Sequence, residues 1–411
     1  MLIKKEDILL FIASMLLGIM ALFLANSSLC LIVAVIQMIL IFKKATISFF
    51  SIIAVPINFC LYQEYVAYNG GEVYGLLNFK NVPIYYFELF ICVFSFNLII
   101  QLFVYFSKCL EWEKRLCFFY TGVNYTLSVI LCVCAAVITL LIFPSVPSLK
   151  SGITRTWSGI LPFSGWSVIP FFFLATALQN LKCRKVTIVS MVFVISWYVL
   201  HGERVESLGL LCLICIAFCC KDKRNLKPVL LFLMSVVILF VIVGMSRGGA
   251  KNYTVSSVLN SVLIQSTACD VTYIFNCAVD VLKKGICFYG ITYLSYLFNC
   301  IPLLQDSHSF QTYIQNFYPT AGGGLFFAEP IANFGILFTI FFTFFFFLII
   351  VLLMRKPCRY TYMIYATLCI SVFRIAWYGL NYPQITILYF VPLVLFADYL
   401  MRKARKSVPT D

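Results

Sequence analysis

Charged residues are scarce in this chain of 411 residues, and histidine is almost absent. Asp, Glu, Lys and Arg together make up 11% of the sequence, only two histidines occur, and 62% of the residues are hydrophobic. Because a typical soluble domain has about 25% charged residues, this composition excludes a soluble globular protein. No clustering of His and carboxylate residues indicates a metal site, so we predict neither a metal nor a cofactor.

The eighteen cysteines lack the spacing of metal ligands. The densest group, Cys212, Cys215, Cys219 and Cys220, lies in an apolar run, where free cysteine behaves as a small hydrophobic residue. Spacing alone establishes no disulfide among the remaining cysteines. We therefore interpret this group as part of a helix interior.

The chain consists largely of apolar runs separated by short polar connectors. A bilayer core about 30 Å thick requires roughly 20 apolar residues per helix. The pattern predicts an all-α polytopic integral membrane protein, a single membrane domain over 1–411, with about twelve transmembrane helices. The predicted spans are 8–24, 29–42, 46–62, 83–107, 118–143, 164–178, 186–200, 205–220, 228–245, 331–354, 360–377 and 384–401.

Basic residues are concentrated in alternate connectors. Twenty-one of the thirty Lys and Arg residues lie there, and short basic connectors stay in the cytoplasm, so we expect both termini to be cytoplasmic. Orientation and anionic lipid headgroups also explain the net charge of +14, without nucleic acid. The nine basic residues expected on the outer face are Lys80, Lys150, Arg155, Arg204, Arg247, Lys251, Lys283, Lys284 and Arg374.

One long segment, 246–330, interrupts the alternation between the ninth and tenth spans. We predict an extracytoplasmic loop region with a function, since long connectors are uncommon and this one is too apolar for disorder. Helical spacing from Val262 to Lys283 predicts a helix lying along the membrane surface. We expect Asp270 and Asp280 on its solvated face.

The link His201 to Ser207, between the seventh and eighth spans, contains four ionisable residues. Such side chains at a membrane boundary are costly unless hydrated or paired. Two interpretations are open. Arg204 pairs with Glu203 or Glu206 in an ordinary turn, or Arg204 binds phosphate through its planar fork while a glutamate acts as general base.

Three other arginines are expected on the outer face. Arg247 precedes Gly248 and Gly249, whose exposed N–H groups suit an anion. The pattern alone is weak evidence, and snorkelling of Arg247 is the simpler explanation. Arg374 lies within an apolar helix and is either functional or snorkelling. Arg155 has aromatic neighbours. Together these residues favour a lipid that carries a diphosphate.

A glycine run, Gly322, Gly323 and Gly324, precedes the tenth span. Glycine permits backbone conformations and close approaches that other residues do not. Glu329 and Asn333 follow, four residues apart and hence on one helix face. Stabilisation of the helix dipole is the structural explanation for Glu329, and catalysis is the functional one. The glycine spacing fits neither a dinucleotide fingerprint nor a P-loop.

The Gly-Glu-Arg link at Gly202 to Arg204, the long outer loop and the Gly-rich entry to the tenth helix, ending in Asn333-Phe334-Gly335, resemble the Wzy-type O-antigen and capsular repeat-unit polymerases. The resemblance implies a bacterial membrane glycosyltransferase with a GT-C-like fold, at the outer face of the cytoplasmic membrane. The implied substrate is an undecaprenyl-diphosphate-linked oligosaccharide, and a chain-length regulator and a flippase are implied partners. The resemblance also implies that Arg204, Arg247 and Arg374 bind the diphosphate.

The implied reaction needs an acceptor for the proton of the attacking sugar hydroxyl and positive charge for the diphosphate leaving group. The expected catalytic residues are Glu203, Arg204 and Glu329. The expected substrate-binding residues are Arg155, Arg247, Arg374, Gly322, Gly323, Gly324 and Asn333. Glu206, Asp270 and His308 are alternative bases.

Two other functions are open. One is an O-antigen ligase-like glycosyltransferase, which shares the outer loop and the arginines. The other is a flippase of lipid-linked oligosaccharides, which should have charges lining a central cavity among its helices and does not need a long outer segment. Here the predicted helix interiors are nearly free of charge, with Glu88 and Asp398 as exceptions near helix ends, and no internal repeat of the kind found in many transporters is visible.

Overall fold

The regular structure of this protein is helical. The computed structural model describes residues 5–73, 82–117, 122–146, 159–161, 163–221, 226–247, 262–298, 309–320 and 322–406, and no strand occurs within these ranges. The helices are α1 Lys5–Phe23, α2 Ser27–Ala45, α3 Phe49–Tyr68, α4 Tyr86–Phe106, α5 Cys109–Cys117, α6 Tyr125–Ile142, α7 Phe163–Trp166, α8 Val168–Ala177, α9 Arg184–Leu200, α10 Val205–Lys221, α11 Leu226–Arg247, α12 Ser266–Lys283, α13 Ile291–Phe298, α14 Phe310–Gln315, α15 Ala328–Arg355, α16 Arg359–Ile370, α17 Val372–Tyr378 and α18 Val391–Lys406.

In the described part of the chain, seven helices are long and apolar enough to cross a membrane. They are α1, α2, α3, α4, α6, α9 with the short 3₁₀ turn before it (Leu181–Leu200), and α15. The pair Arg359–Ile370 and Val372–Asn381, bent by 59°, brings the number to eight if it forms one span. The prediction of a helical membrane protein is confirmed. The twelve spans and the GT-C-like arrangement stay predictions.

The chain folds into two compact units, each made of three stretches. Unit 1 comprises Met1–Glu113, Leu263–Arg355 and Ile375–Gly379, and unit 2 comprises Lys114–Val262, Lys356–Arg374 and Leu380–Asp411. The single domain over 1–411 stays a prediction.

Aromatic packing holds the centre of unit 1 together. Helix α4 packs against α1, α2, α3 and α15. The Phe96 ring of α4 meets the rings of Phe326, Phe327 and Phe347 at centroid distances of 5.9, 5.7 and 5.2 Å, in edge-to-face contacts. Such pairs add about 0.5–1.5 kcal/mol each beyond the apolar area that they bury.

Polar side chains also link the helices of unit 1. Asn58 of α3 and Asn97 of α4 donate to each other at 3.0 and 2.9 Å, and Asn97 also donates to Gln37 of α2 at 3.3 Å. Where lipid surrounds the helices, hydrogen bonds of this kind favour association, because no water competes for the amides.

The helix predicted for the membrane surface is part of the interior of unit 1. Helix α12 packs against α3 and α15, and the residues from Ala268 to Ala278 are buried on all sides. Asp270 and Asp280 are both only 7% exposed. The predicted solvated face carrying these aspartates is wrong, while the predicted position along the membrane surface stays a prediction. The apolar stripe was visible in the sequence, but the partners that cover its polar side lie far away along the chain.

In unit 2, α6 packs against α8 and α9, and α16 packs against α8 and α10. Helices α10 and α16 approach closely, since a Cβ atom at Gly209 would lie 1.9 Å from the carbonyl oxygen of Ile370. Asp398 of α18 is buried and joins three segments: it pairs with Arg359 at 2.5 Å and Arg402 at 2.8 Å, and accepts from Asn124 N–H at 2.8 Å.

Candidate functional site

The long helix α15 of unit 1 is broken at Gly335. This residue has φ 85° and ψ −179°, a conformation essentially restricted to glycine. The break divides the helix into a short piece over 328–334, which carries Glu329 and Asn333, and a long apolar piece over 336–355. Glycine in the Asn-Phe-Gly sequence is therefore required by the backbone.

A loop closes the break by bonding to the carbonyl groups that the helix leaves open. Phe288 N–H donates to Ala332 O at 3.0 Å, and Cys287 Sγ donates to Asn333 O at 2.7 Å. The Asn333 side chain holds the same loop, because its Oδ1 accepts from Gly290 N–H at 2.8 Å. Non-helical backbone at membrane depth is tolerated when protein groups satisfy it in this way.

The carboxylate of Glu329 lies beside this break, fixed by two hydroxyl groups of α13. Thr292 Oγ1 donates to Oε1 at 2.7 Å, and the Tyr296 hydroxyl donates to Oε2. Asn333 Nδ2 donates to Thr292 Oγ1 at 2.7 Å and so orients that hydroxyl. Glu329 is 7% exposed. The result is a buried, oriented carboxylate whose neighbours supply hydroxyl groups.

Backbone rather than a side chain borders one edge of this carboxylate. A Cβ atom added to Gly379 would lie 3.8 Å from Glu329 Oε2 and 3.5 Å from the Tyr296 hydroxyl. Gly379 has φ +72°, so the backbone conformation favours glycine at this position, although a Cβ atom would fit in the space. A carboxylate of this kind can accept a proton or a hydrogen bond from a substrate hydroxyl.

The glycine run packs against the end of α17 within unit 1. Gly322 and Gly323 have φ values of +92° and +88°, and a Cβ at Gly323 would lie 2.4 Å from the Tyr378 ring. Gly324 N–H donates to Trp377 O at 3.1 Å. Backbone conformation and close packing thus explain why glycine occurs here, while the substrate-binding role of these residues stays a prediction.

Two of the basic residues expected on the outer face pair with carboxylates in unit 1. Lys283 pairs with Glu88 at 2.5 Å, and Lys284 pairs with Asp280 at 2.8 Å. Burial favours a raised pKa for Asp280, but hydrogen bonds from Lys284, Tyr318 and Tyr85 outweigh it and hold that pKa below its ordinary value. The hydrogen bond to Asp280 raises the pKa of Lys284. These contacts tie α12 to its neighbours.

In unit 2, the His-Gly-Glu link forms a tight helix end. Glu203 N–H donates to Tyr198 O at 2.9 Å, Gly202 N–H donates to Val199 O at 2.9 Å, and Gly202 has φ +78°. This is a Schellman motif with glycine in the left-handed position. The motif directs Glu203 away from the axis of α9, toward the start of α10.

Arg374 lies between two carboxylates of this link. Its Nε donates to Glu206 Oε1 at 2.8 Å, and its Nη2 donates to Glu203 Oε2 at 2.9 Å. Ser167 Oγ donates to Glu206 Oε1 at 2.8 Å, and the guanidinium lies 4.8 Å from the centre of the Tyr382 ring. The side chains of Arg374, Glu203 and Glu206 are only 4, 3 and 0% exposed. We call these three residues the buried triad.

His201 links the same turn to the end of α6. Its Nδ1 lies 2.8 Å from Trp197 O, and its Nε2 lies 2.8 Å from Ser145 O. Both partners are carbonyl oxygens, so the ring nitrogen that carries a proton has an acceptor within hydrogen-bond distance in either tautomer. The ring also stacks on Phe143 with a centroid distance of 4.7 Å. This histidine therefore fixes the base of the link.

The predicted site residues divide between the two units. Glu329, Asn333 and the glycines belong to unit 1, and Asn333 contacts the backbone of Glu329 at 2.8 Å. Glu203, Arg204 and Arg374 belong to unit 2, where Arg374 reaches the two glutamates. Arg155, Gly248, Gly249 and His308 lie outside the described residues, and of Arg247 only the backbone at the end of α11 is described.

Sequence reasoning missed several groups of these sites. Thr292 and Tyr296, which hold Glu329, had no distinguishing pattern in the long segment. Glu64 was missed because the predicted span ended at residue 62, whereas α3 continues to Tyr68 and buries the side chain completely. The Asn276 amide and the Tyr85 N–H lie beside this carboxylate, but neither forms a hydrogen bond of ordinary geometry with it. The extension of the apolar helix beyond residue 62 was the available signal.

Comparisons with protein-family models, curated proteins and solved structures find no match for this chain.

Proposed function

We propose that this protein polymerises undecaprenyl-diphosphate-linked oligosaccharide repeat units at the outer face of the bacterial cytoplasmic membrane. It would act as a metal-independent glycosyltransferase with about twelve spans and a GT-C-like arrangement. The observation that carries the proposal is the oriented, buried carboxylate of Glu329, held by Thr292 and Tyr296 beside the Gly335 break. The resemblance of the surrounding sequence to repeat-unit polymerases supports the same function.

In this reaction, Glu329 accepts the proton of the attacking sugar hydroxyl. As a new bond forms between that oxygen and the anomeric carbon of the growing chain, the bond from this carbon to the lipid diphosphate breaks. The diphosphate leaves with the electron pair. A positioned base of this type contributes roughly 10²–10⁴-fold to the rate.

The surroundings of Glu203 and Glu206 make Glu329 the preferred base among these three glutamates. Glu203 and Glu206 both pair with Arg374, so either could accept a proton only at the expense of a buried ion pair. Glu329 instead receives hydrogen bonds from neutral hydroxyls. This assignment leaves Glu203 with a structural role in the proposal.

Arg204 is the described arginine that we assign to the diphosphate, with Arg155 and Arg247 as further ligands. Arg374 is a poorer choice than the sequence suggested. Its guanidinium already binds two carboxylates, and a phosphate would have to displace both. Positive charge near the leaving group stabilises the transition state as the diphosphate develops its additional negative charge.

The direct test is Glu329→Gln, assayed as purified protein with lipid-linked repeat units extracted from a strain that lacks the polymerase. We expect normal protein abundance, loss of chain growth by roughly 10²–10⁴-fold and accumulation of single units. Tyr296→Phe, which removes one hydroxyl donor but retains the ring, should give a smaller loss.

The matched control is Glu72→Gln, because Glu72 is an exposed carboxylate of unit 1. This variant should polymerise at the parent rate. Chain growth at the parent rate in Glu329→Gln would exclude Glu329 as the base and direct the search to the remaining acids and His308.

Buried charges favour a flippase of lipid-linked units as the second candidate. A flippase is expected to have charges that line a cavity among its helices, and the structure does bury ionisable side chains: Glu64, Glu206 and Arg374 are 0, 0 and 3% exposed. The two functions can be distinguished in detergent solution, because transport requires a membrane between two compartments and polymerisation does not. A polymerase lengthens chains there, whereas a flippase returns the lipid-linked units unchanged and moves them only in vesicles.

A further inference from the structure

Unit 2 contains a cavity of about 1320 Å³ that the proposed reaction does not use. Three stretches of the chain supply its walls: the start of α6, the turn before α9 and the end of α18. The lining residues are Gly122, Val123, Asn124, Tyr125, Gln179, Asn180, Leu181, Lys182, Tyr399, Arg402 and Lys403. We call this cavity the basic pocket.

The charge of the basic pocket has one sign. Lys182, Arg402 and Lys403 line it, and none of the lining residues is acidic. Arg402 is held in place, with Nε on Asp398 at 2.8 Å and Nη2 on Gly122 O at 2.9 Å. Lys182 and Lys403 are exposed and form no ion pair with a described residue. Such a cavity favours an anion.

The position of the basic pocket along the helices indicates its depth. Two candidate membrane spans, Tyr125–Ile142 and Leu181–Leu200, begin at residues that line it. A span begins where the chain enters the hydrocarbon layer, and the headgroup region lies directly outside that layer. The basic pocket is therefore at the level of the lipid phosphates.

The lining combines these cations with exposed apolar and aromatic groups. Leu181, Tyr399 and Tyr125 are 68, 60 and 44% exposed. Tyrosine is enriched at membrane interfaces because its ring is apolar and its hydroxyl is polar. A ligand that joins a phosphate to acyl chains matches both parts of this lining, whereas a free phosphate would use only the cations.

We propose that the basic pocket binds the phosphate headgroup of an anionic phospholipid. Lys182 and Lys403 contact the phosphate oxygens, and Arg402, fixed by Asp398, provides the third positive charge. The site is independent of the polymerisation proposed above, and it assigns a specific lipid ligand to basic residues that otherwise only orient the chain.

The test uses native mass spectrometry of the purified full-length protein in detergent, titrated with phosphatidylglycerol or phosphatidylcholine. The variant Lys182→Gln/Lys403→Gln is compared with Lys221→Gln/Lys356→Gln, which removes two other exposed lysines of unit 2. We expect roughly 30-fold weaker phosphatidylglycerol binding only in the first variant, since each lysine near a lipid phosphate contributes roughly fivefold. Lys182→Arg/Lys403→Arg should retain binding.

Three results would overturn the proposal. The first is equal phosphatidylglycerol affinity in the two Lys→Gln variants. The second is equal affinity of the parent protein for phosphatidylcholine. The third is displacement of phosphatidylglycerol by an equal concentration of glycerol phosphate, which would identify a site for soluble phosphates.

Discussion

At the scale of single residues, the acidic side chains differ in what surrounds them. Glu203 and Glu206 share one guanidinium, while Glu329 is held by hydroxyl groups. Removing one partner from a buried ion pair typically costs about 3–5 kcal/mol, because it leaves an uncompensated charge. Arg374 is therefore expected to matter first for the stability of unit 2.

Arg374→Met should lower the free energy of unfolding by about 3–5 kcal/mol, since two buried carboxylates lose their partner. Adding Glu203→Gln and Glu206→Gln to the same protein should restore most of that stability. Thermal unfolding of the purified variants in detergent provides the measurement. A stable Arg374→Met protein that has lost only the proposed polymerase activity would instead support the diphosphate-binding role predicted from the sequence.

The sequence singled out Glu203, Arg374, Glu329 and Asn333 as unusual residues, but it did not indicate their contacts. Glu203 and Arg374 were both selected as unusual charges, yet their contact spans 171 positions, and no local pattern encodes such a distance. The orientation of the basic connectors could assign residues only to a face of the membrane. The side chain of Asn333 bonds to Gly290, Thr292 and Glu329, contacts that the sequence did not indicate, and its substrate-binding role stays a prediction.

At the scale of helices, the break in α15 is the feature that determines where Glu329 lies. The sequence predicted a span from 331 to 354, close to the observed end at Arg355. It did not predict the break, because a single glycine within an apolar run is compatible with a continuous helix. The loop that satisfies the broken turn comes from 287–290, and it was part of the segment with the least regular pattern.

Gly335→Ala should destabilise the protein by about 1–3 kcal/mol, because alanine is strained at this φ and ψ. The expected result is a lower unfolding temperature together with reduced chain growth, since the short piece of α15 carries Glu329. Leu337→Ala is the control: it is an exposed position of the same helix, and we expect it to change neither quantity. An unchanged Gly335→Ala protein would mean that the helix accommodates a continuous turn at this position.

At the scale of the whole molecule, the clearest expectation is the orientation of the chain in the membrane. Reporter fusions should place 202–206, 250–320 and 379–382 outside, and the basic connectors 108–115 and 221–227 inside, because basic connectors remain in the cytoplasm. A cytoplasmic signal from 250–320 would reverse the orientation and remove the basis for an outer-face reaction. The helical membrane class could be predicted from the sequence, because this class depends only on hydrophobic composition and on the lengths of the apolar runs.

The three-stretch construction of each unit has a consequence for the synthesis of the chain. Unit 1 begins with Met1–Glu113 but is complete only when Gly379 has been made. The ribosome adds about 5–20 residues per second. The last helices of unit 1 are therefore synthesised on the order of tens of seconds after the first. During this time Asn58, Asn97 and Gln37 can already satisfy one another, whereas Asn276 of α12, the amide beside the Glu64 carboxylate, has still to be made. Membrane insertion factors and proteases therefore encounter a half-built unit 1 with an ionisable side chain open to the bilayer.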